Sequence, residues 1–311
     1  MARRPRPDAR AIAPVAWRDG VQLTGTPIWC DARRRRDVCF VSSADRVGRA
    51  GHGQLIATPI TLALLGAGAG HLAVPLRKPF TLGTLRLELI AAGCGLGSAS
   101  LHVDLGGRSV LYAGPVRTRD VAAPADVRSC DAVVVAAPVG LPEHAVPALA
   151  EAIDRVVAWA RAQLAAGKRP VLVVDTLLDG LELATRLAET DLPLAASRAL
   201  AAAAARVPGA PPLPATGRVL VRLGHERGRA TADDIAALVS LRALDHPAGF
   251  AAALAWPFAA DRAQLLAWIE HTGAREVFVT GACAESIVAA LGARARTLGP
   301  PRQMSLFEAQ G

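Results

Sequence analysis

The chain has 311 residues with 35 basic and 27 acidic side chains, a formal net charge of +8. Hydrophobic residues make up 52% and charged residues 20%, which excludes a chain disordered by composition and provides enough apolar surface for a substantial core. Alanine dominates the apolar fraction and arginine the basic one, so the positive charge alone does not identify an anionic partner.

In chain order, residues 1–20 read as a basic Arg/Pro-rich tail without the apolar stretch of a secretory signal. Residues 21–135 read as short strands separated by turns: Val38–Ser42, Leu55–Ala57, Leu85–Ala91, Ser100–Leu105, Ser109–Tyr112 and Ala132–Ala136. Gly106-Gly107 between two of these runs signals a hairpin, and helical spacing appears only at Ile60–Leu65. The uncharged run Leu55–Leu76 contains Pro59, Gly66, Gly68, Gly70, His71 and Pro75, which suit a turn-rich segment rather than a membrane helix.

From Pro147 the pattern becomes one of alternating helices and strands. Helices are expected at Ala148–Ala165, Gly180–Glu189, Ala199–Val207, Asp233–Leu244, Arg262–His271 and Glu285–Ala295. Strands are expected at Val171–Asp175, Pro193–Ala196, Arg218–Leu223, Ala251–Trp256 and Glu276–Thr280. The stretch Pro208–Pro214 reads as a loop and Leu298–Gly311 as an extended tail. Five scattered cysteines (Cys30, Cys39, Cys94, Cys130, Cys283) without a CxxC pair suit neither a disulfide framework nor a zinc ribbon, and a cytoplasmic location is expected.

Several ordered stretches carry a family resemblance. They are Trp29-Cys30-Asp31-Ala32-Arg33, Cys39 to Asp45, His52-Gly53-Gln54-Leu55-Ile56-Ala57-Thr58-Pro59, Ala92 to Ala99, Val110 to Gly114, Ala260-Asp261-Arg262 with Leu265-Leu266, and Glu276 to Gly281. Together, over residues 21–297, the chain resembles metallo-β-lactamase-fold nucleases of the β-CASP type, in particular exonucleases associated with DNA ligase. The resemblance implies an α/β fold: a four-layer αββα sandwich from residues 21–146 and 246–297, with an α/β cap inserted at 147–245.

In that family a Ser-His-x-His-x-Asp-His loop and later histidines and an aspartate hold one or two zinc ions, which activate water against a phosphodiester. Laid onto this sequence, the histidine positions of the loop fall on Ser43, Asp45 and Gly48, and its aspartate on Val47. The histidine of Ala-Gly-His-x-x-Gly-Ser-Ala falls on Cys94, and the bridging aspartate on Pro115. The last two histidines fall on Ala259 and Gly281. Asp45 and Cys94 alone keep a donor suited to zinc, short of the three protein ligands a hydrolytic site needs.

The sequence reading is therefore a catalytically inactive nuclease homologue, a pseudoenzyme without cofactor, serving DNA repair or replication. Two alternatives stay open: an active exonuclease or phosphodiesterase with a rebuilt zinc or manganese site, and a protein-interaction scaffold without nucleic-acid binding. Asp45 as a turn cap and Cys94 as a small buried residue are the structural readings weighed against metal binding. Arg33, Arg34, Arg35 and Arg36 are candidate phosphate contacts for DNA or RNA, with a solvated charged turn as the plain alternative. The tail sequence Gln303-Met304-Ser305-Leu306-Phe307 resembles the pentapeptide that docks on the bacterial sliding clamp, offering Leu306 and Phe307 to an apolar pocket.

Overall fold

A computed structural model describes residues 13–47, 51–226 and 231–300. The described residues are mixed α/β, with three sheets.

The first sheet is built in chain order from β1 (Val15–Trp17), β2 (Val21–Leu23), β3 (Ile28–Cys30), β4 (Val38–Phe40), β5 (Gln54–Ala57) and β6 (Leu72–Ala73). Its β1–β3 part is antiparallel, whereas β3 to β6 run parallel. Helix α1 (Pro59–Leu65) follows β5. The Thr58 hydroxyl accepts the Thr61 N–H at its start, and Gly66, left-handed at φ +62, ends it.

The second sheet begins with β7 (Phe80–Leu82), β8 (Leu85–Ala91), β9 (Ala99–Asp104) and β10 (Ser109–Gly114), all antiparallel neighbours. The β9–β10 hairpin turns at Gly106 and Gly107, both at positive φ, and Asp104 Oδ1 accepts their N–H groups. Strand β11 (Ala132–Ala136) then joins β10 in parallel.

The third sheet forms from the alternating segment: α2 (Leu149–Ala165), β12 (Arg169–Val174), α3 (Leu177–Ala188), β13 (Leu194–Ala196), α4 (Arg198–Ala204), β14 (Val219–Leu223), β15 (Asp234–Val239) and β16 (Ala252–Leu254). Its order is β13-β14-β12-β15-β16, all parallel, so the sheet runs past residue 245, the expected end of the insert. The chain returns to the second sheet through α5 (Arg262–Thr272), β17 (Glu276–Thr280), α6 (Ala284–Leu291) and β18 (Ala295–Thr297).

Three segments differ from the sequence reading. Asp233–Leu244, expected as a helix, is strand β15 followed by a single 3-10 helix, Leu241–Asp245. Interior parallel strands are covered on both faces, so Ile235 to Val239 forms a continuous apolar run without period two. Val15–Trp17, within the expected basic tail, pairs with β2, and Ala295, expected as the last residue of a helix, begins the edge strand Ala295–Thr297. Three-residue strands are specified by their neighbours rather than by their own pattern.

Between the first two sheets lies one core: Leu23, Ile28, Phe40 and Ile56 meet Leu89, Leu101, Val103, Tyr112 and Phe278. On the far side of the second sheet, Leu111, Val133 and Val277 pack against Leu265, Trp268 and Ile287 of α5 and α6. On the far side of the first, Cys39, Val41 and Leu55 pack against Leu62 of α1. The third sheet and its helices share a core with Ala44 and Leu64, which joins this block to the first sheet.

Candidate functional site

Strands β10, β11 and β17 are parallel, so their C-terminal ends deliver Pro115, Ala137 and Gly281 to one edge of the second sheet. The C-terminal end of β4 delivers Ser42 and Ser43 nearby. The Ala99 N–H donates to Ser42 O at 2.8 Å, and a Cβ on Gly114 would lie 3.4 Å from Ser42 Oγ. Ala259 joins the same edge, because the Ala260 N–H donates to Val116 O at 2.7 Å. The fold thus brings Ser42, Ser43, Pro115, Ala259 and Gly281 toward one edge, although they come from separate parts of the sequence. Gly48 lies outside the described residues, as do Gln303, Met304, Ser305, Leu306 and Phe307 of the clamp-like segment.

What those positions hold is a set of structural ties. Asp45 sits in a single 3-10 helix, Ala44–Arg46, and faces the N-terminus of α3. The Leu177 N–H donates to Asp45 Oδ1 at 2.7 Å and the Leu178 N–H to Oδ2 at 3.2 Å. The first N–H groups of a helix lack intrahelical partners and carry partial positive charge, so a carboxylate there is a cap delivered from another part of the chain. Burial pushes the Asp45 carboxyl up from the ordinary range, against the two amide donors and Arg46.

Cys94, 1% exposed, has its thiol pushed up by burial, which outweighs the nearby Arg117 and Arg46. Ser43 is buried, as are Pro115 and Ala259, and Val47 packs against the apolar patch under α1. Gly281 has φ +99, and a Cβ there would approach Ala137 O to 2.7 Å, so the turn excludes a histidine as it stands. Among the described residues no three His, Cys, Asp or Glu side chains form a group able to hold a metal ion. These side chains do not fit the one or two zinc ions that the resemblance implies, because Asp45 is committed to α3 and burial pushes the Cys94 thiol up.

Two further polar networks involve residues that the sequence offered no reason to single out as a site. In the first, Asp31 follows β3 at φ +47 and accepts the Ser42 N–H at 2.8 Å, the Ser42 hydroxyl at 2.6 Å and the Tyr112 hydroxyl at 2.8 Å. It ties the first sheet to the second across their common end. Burial raises its carboxyl, while Arg46 and these donors act in the opposite direction.

The second network lies on α3. Arg117, 2% exposed, donates from Nη1 to both Glu182 oxygens at 3.0 and 2.9 Å, and Trp256 Nε1 donates to Glu182 Oε2 at 3.3 Å. Asp179, one turn earlier, is 3% exposed with Oδ1 unpartnered. Burial pushes its carboxyl well up, and Asp45, Glu182 and Asp175 add to the effect. The i, i+3 spacing of Asp179 and Glu182 places them on one helix face, a feature readable in sequence.

Beside this network a cavity of about 660 Å³ opens between α3, the start of α1 and the Gly93–Ser98 loop. Ile60, Leu76, Leu96, Val121 and Leu181 line it, and Glu182 and Arg186 supply its charged groups. Walls of this kind suit an apolar body rather than a phosphate backbone.

The arginine run lies elsewhere. It occupies the connection from the end of β3 to the start of β4, while Ser42 to Asp45 leave the opposite end of β4. Arg33, Arg34 and Arg35 are exposed, and Arg34 pairs with Asp19 at 3.0 Å. Arg36 is half-buried, with its guanidinium 3.7 Å from the Trp29 ring centroid and Nη2 donating to Arg18 O. No helix among the described residues is long and apolar enough to cross a membrane. No family model matches the chain, and no curated protein matches it.

Proposed function

We propose that the chain is a catalytically inactive homologue of metallo-β-lactamase-fold, β-CASP-type nucleases, acting as an accessory protein in DNA repair or replication. In this reading the two facing sheets with α1 on one side and α5 and α6 on the other are the αββα sandwich, and the third sheet with its helices is the cap.

The observation that carries the reading is the Asp45–α3 contact. A residue at a metal position of the family closes the seam between sandwich and cap, using the oxygens a metal would need. Arg33 and Arg35 supply exposed charge for a phosphate backbone, and Gln303 to Phe307 supply the tether to a sliding clamp.

The test uses the purified full-length protein. Elemental analysis finds no stoichiometric zinc or manganese, and no phosphodiester is cleaved with either metal added. Fluorescence polarisation finds duplex DNA bound at low salt and released as salt rises. A stoichiometric metal whose removal by Asp45→Ala abolishes cleavage overturns the inactive assignment. Absence of DNA binding at low salt overturns the nucleic-acid role, and clamp co-elution unchanged by deletion of residues 303–307 removes the tether.

A further inference from the structure

The α3 residues that line the cavity beside α1 change in character along the helix. Leu178 and Leu181 come first, and Thr185 and Arg186 follow on the same face two turns after Leu178. Glu182 lies between the two ends, but its charge is met from inside the protein, by both Arg117 bonds and the Trp256 N–H. Arg186 has a looser partner: Glu189 stands at 3.8 Å, with its side chain 65% exposed. The cleft therefore has hydrocarbon at one end and a cation at the other.

The opposite wall is held in place. Thr58 Oγ1 and Thr61 Oγ1 both donate to Gly97 O, at 2.7 and 2.8 Å, which pins the Gly93–Ser98 loop to the start of α1. A Cβ on Gly97 would meet the Thr61 nitrogen at 2.8 Å, and one on Gly95 would meet Leu178 Cβ at 3.1 Å. The loop already touches α1 at one glycine and α3 at the other, so it has no room to slide into the space between them. Protein interiors are close-packed, with few voids larger than a water. Apolar walls fixed around about 660 Å³ are thus a preformed site rather than a packing defect. Access is from the rim, where Pro75 and Ala122 are exposed and Leu96 is 44% exposed.

We propose that this cleft binds a small apolar monocarboxylate, with its hydrocarbon body over Leu178, Leu181 and Leu96 and its carboxylate toward Arg186. The sign of the head group follows from which charge is already spent. Glu182 is bonded to Arg117, so it offers little to a cationic head. The guanidinium of Arg186 has five donors, and Glu189 at 3.8 Å is beyond hydrogen-bond length, so the fork remains open to a carboxylate. From Leu178 to Arg186 the helix rises about 12 Å, the reach of an extended alkyl chain of medium length. Binding here requires neither DNA nor a metal, so its outcome is separate from that of the nuclease-homologue reading.

Decanoate is the probe, titrated into the full-length protein by calorimetry and located by NMR of the leucine and isoleucine methyl groups. Saturable binding is expected, with shifts at Leu96, Leu178, Leu181 and Ile60. Arg186→Gln, at a half-buried position on the helix surface, is expected to weaken decanoate about three- to tenfold and to leave decanol unchanged. Ala122→Trp, at the exposed rim, is expected to block the mouth and abolish binding of both while keeping the parent's unfolding midpoint. Absence of saturable binding, shifts confined to residues outside the cleft, or an Arg186→Gln variant that binds decanoate like the parent overturns the proposal. Decyltrimethylammonium bound as tightly as decanoate also overturns it. So does decanoate binding that appears only when residues 303–307 are deleted, which identifies the chain's own tail as the occupant.

Discussion

The Leu177 N–H donates to the Asp45 carboxylate at 2.7 Å, across 132 residues of sequence. The helix that receives this cap belongs to the third-sheet block and the aspartate to the first sheet, so one side chain fastens two parts of the fold. Thr176 caps the same helix from within, its hydroxyl accepting the Asp179 N–H at 3.1 Å. Removing Asp45 therefore leaves α3 with one cap rather than none. Asp45→Ala is expected to cost about 1 kcal/mol in denaturant unfolding, the usual value of an N-cap. Hydrogen exchange at the Leu177 and Leu178 amides should accelerate, whereas the core of the second sheet stays protected.

Asp179 sets a pH dependence of stability. Its folded-state pKa is raised, chiefly by burial, so the folded chain holds a proton that the unfolded chain releases in the ordinary carboxylate range. This contribution is fully present below that range and is lost as pH rises toward the folded-state value. Asp179→Asn is expected to raise stability near neutral pH and to leave it unchanged in acid below the ordinary carboxylate range. Urea midpoints across that interval check the sign; a variant less stable at neutral pH contradicts it.

The arginine run divides into two roles. Replacing Arg33 and Arg35 with Ala is expected to lower the slope of log affinity for duplex DNA against log salt by about two, without changing the fold. Arg36→Ala is expected to act on stability instead, by about 0.5–1 kcal/mol, because its guanidinium lies over Trp29. Polarisation titrations at several salt concentrations and thermal melts separate the effects.

Gly281 tests whether the family's histidine is compatible with this turn. With φ +99 and Ala137 O in the way, Gly281→His is expected to cost about 1–3 kcal/mol, and Gly281→Ala a similar amount, since the strain arises at Cβ. Chemical denaturation measures both. A His variant as stable as the parent shows that the turn yields readily.

Patterns confined to neighbouring residues were legible in the chain. The Gly106-Gly107 hairpin, the alternation of Leu85–Ala91 and the spacing of α2 each express a local rule. Asp234–Val239 reads as helix in isolation because an apolar run covered on both faces carries no period, and the neighbours that make it a strand are β12 and β16.

Residue identity alone establishes that the chain can build a large α/β core and which donor atoms it has to offer. Only the tertiary structure decided what those donors do. Asp45 meets α3 and Asp31 meets Tyr112 through contacts spanning 132 and 81 residues. No spacing rule encodes such meetings, since they depend on how sheets and helices pack rather than on the segment that carries each side chain.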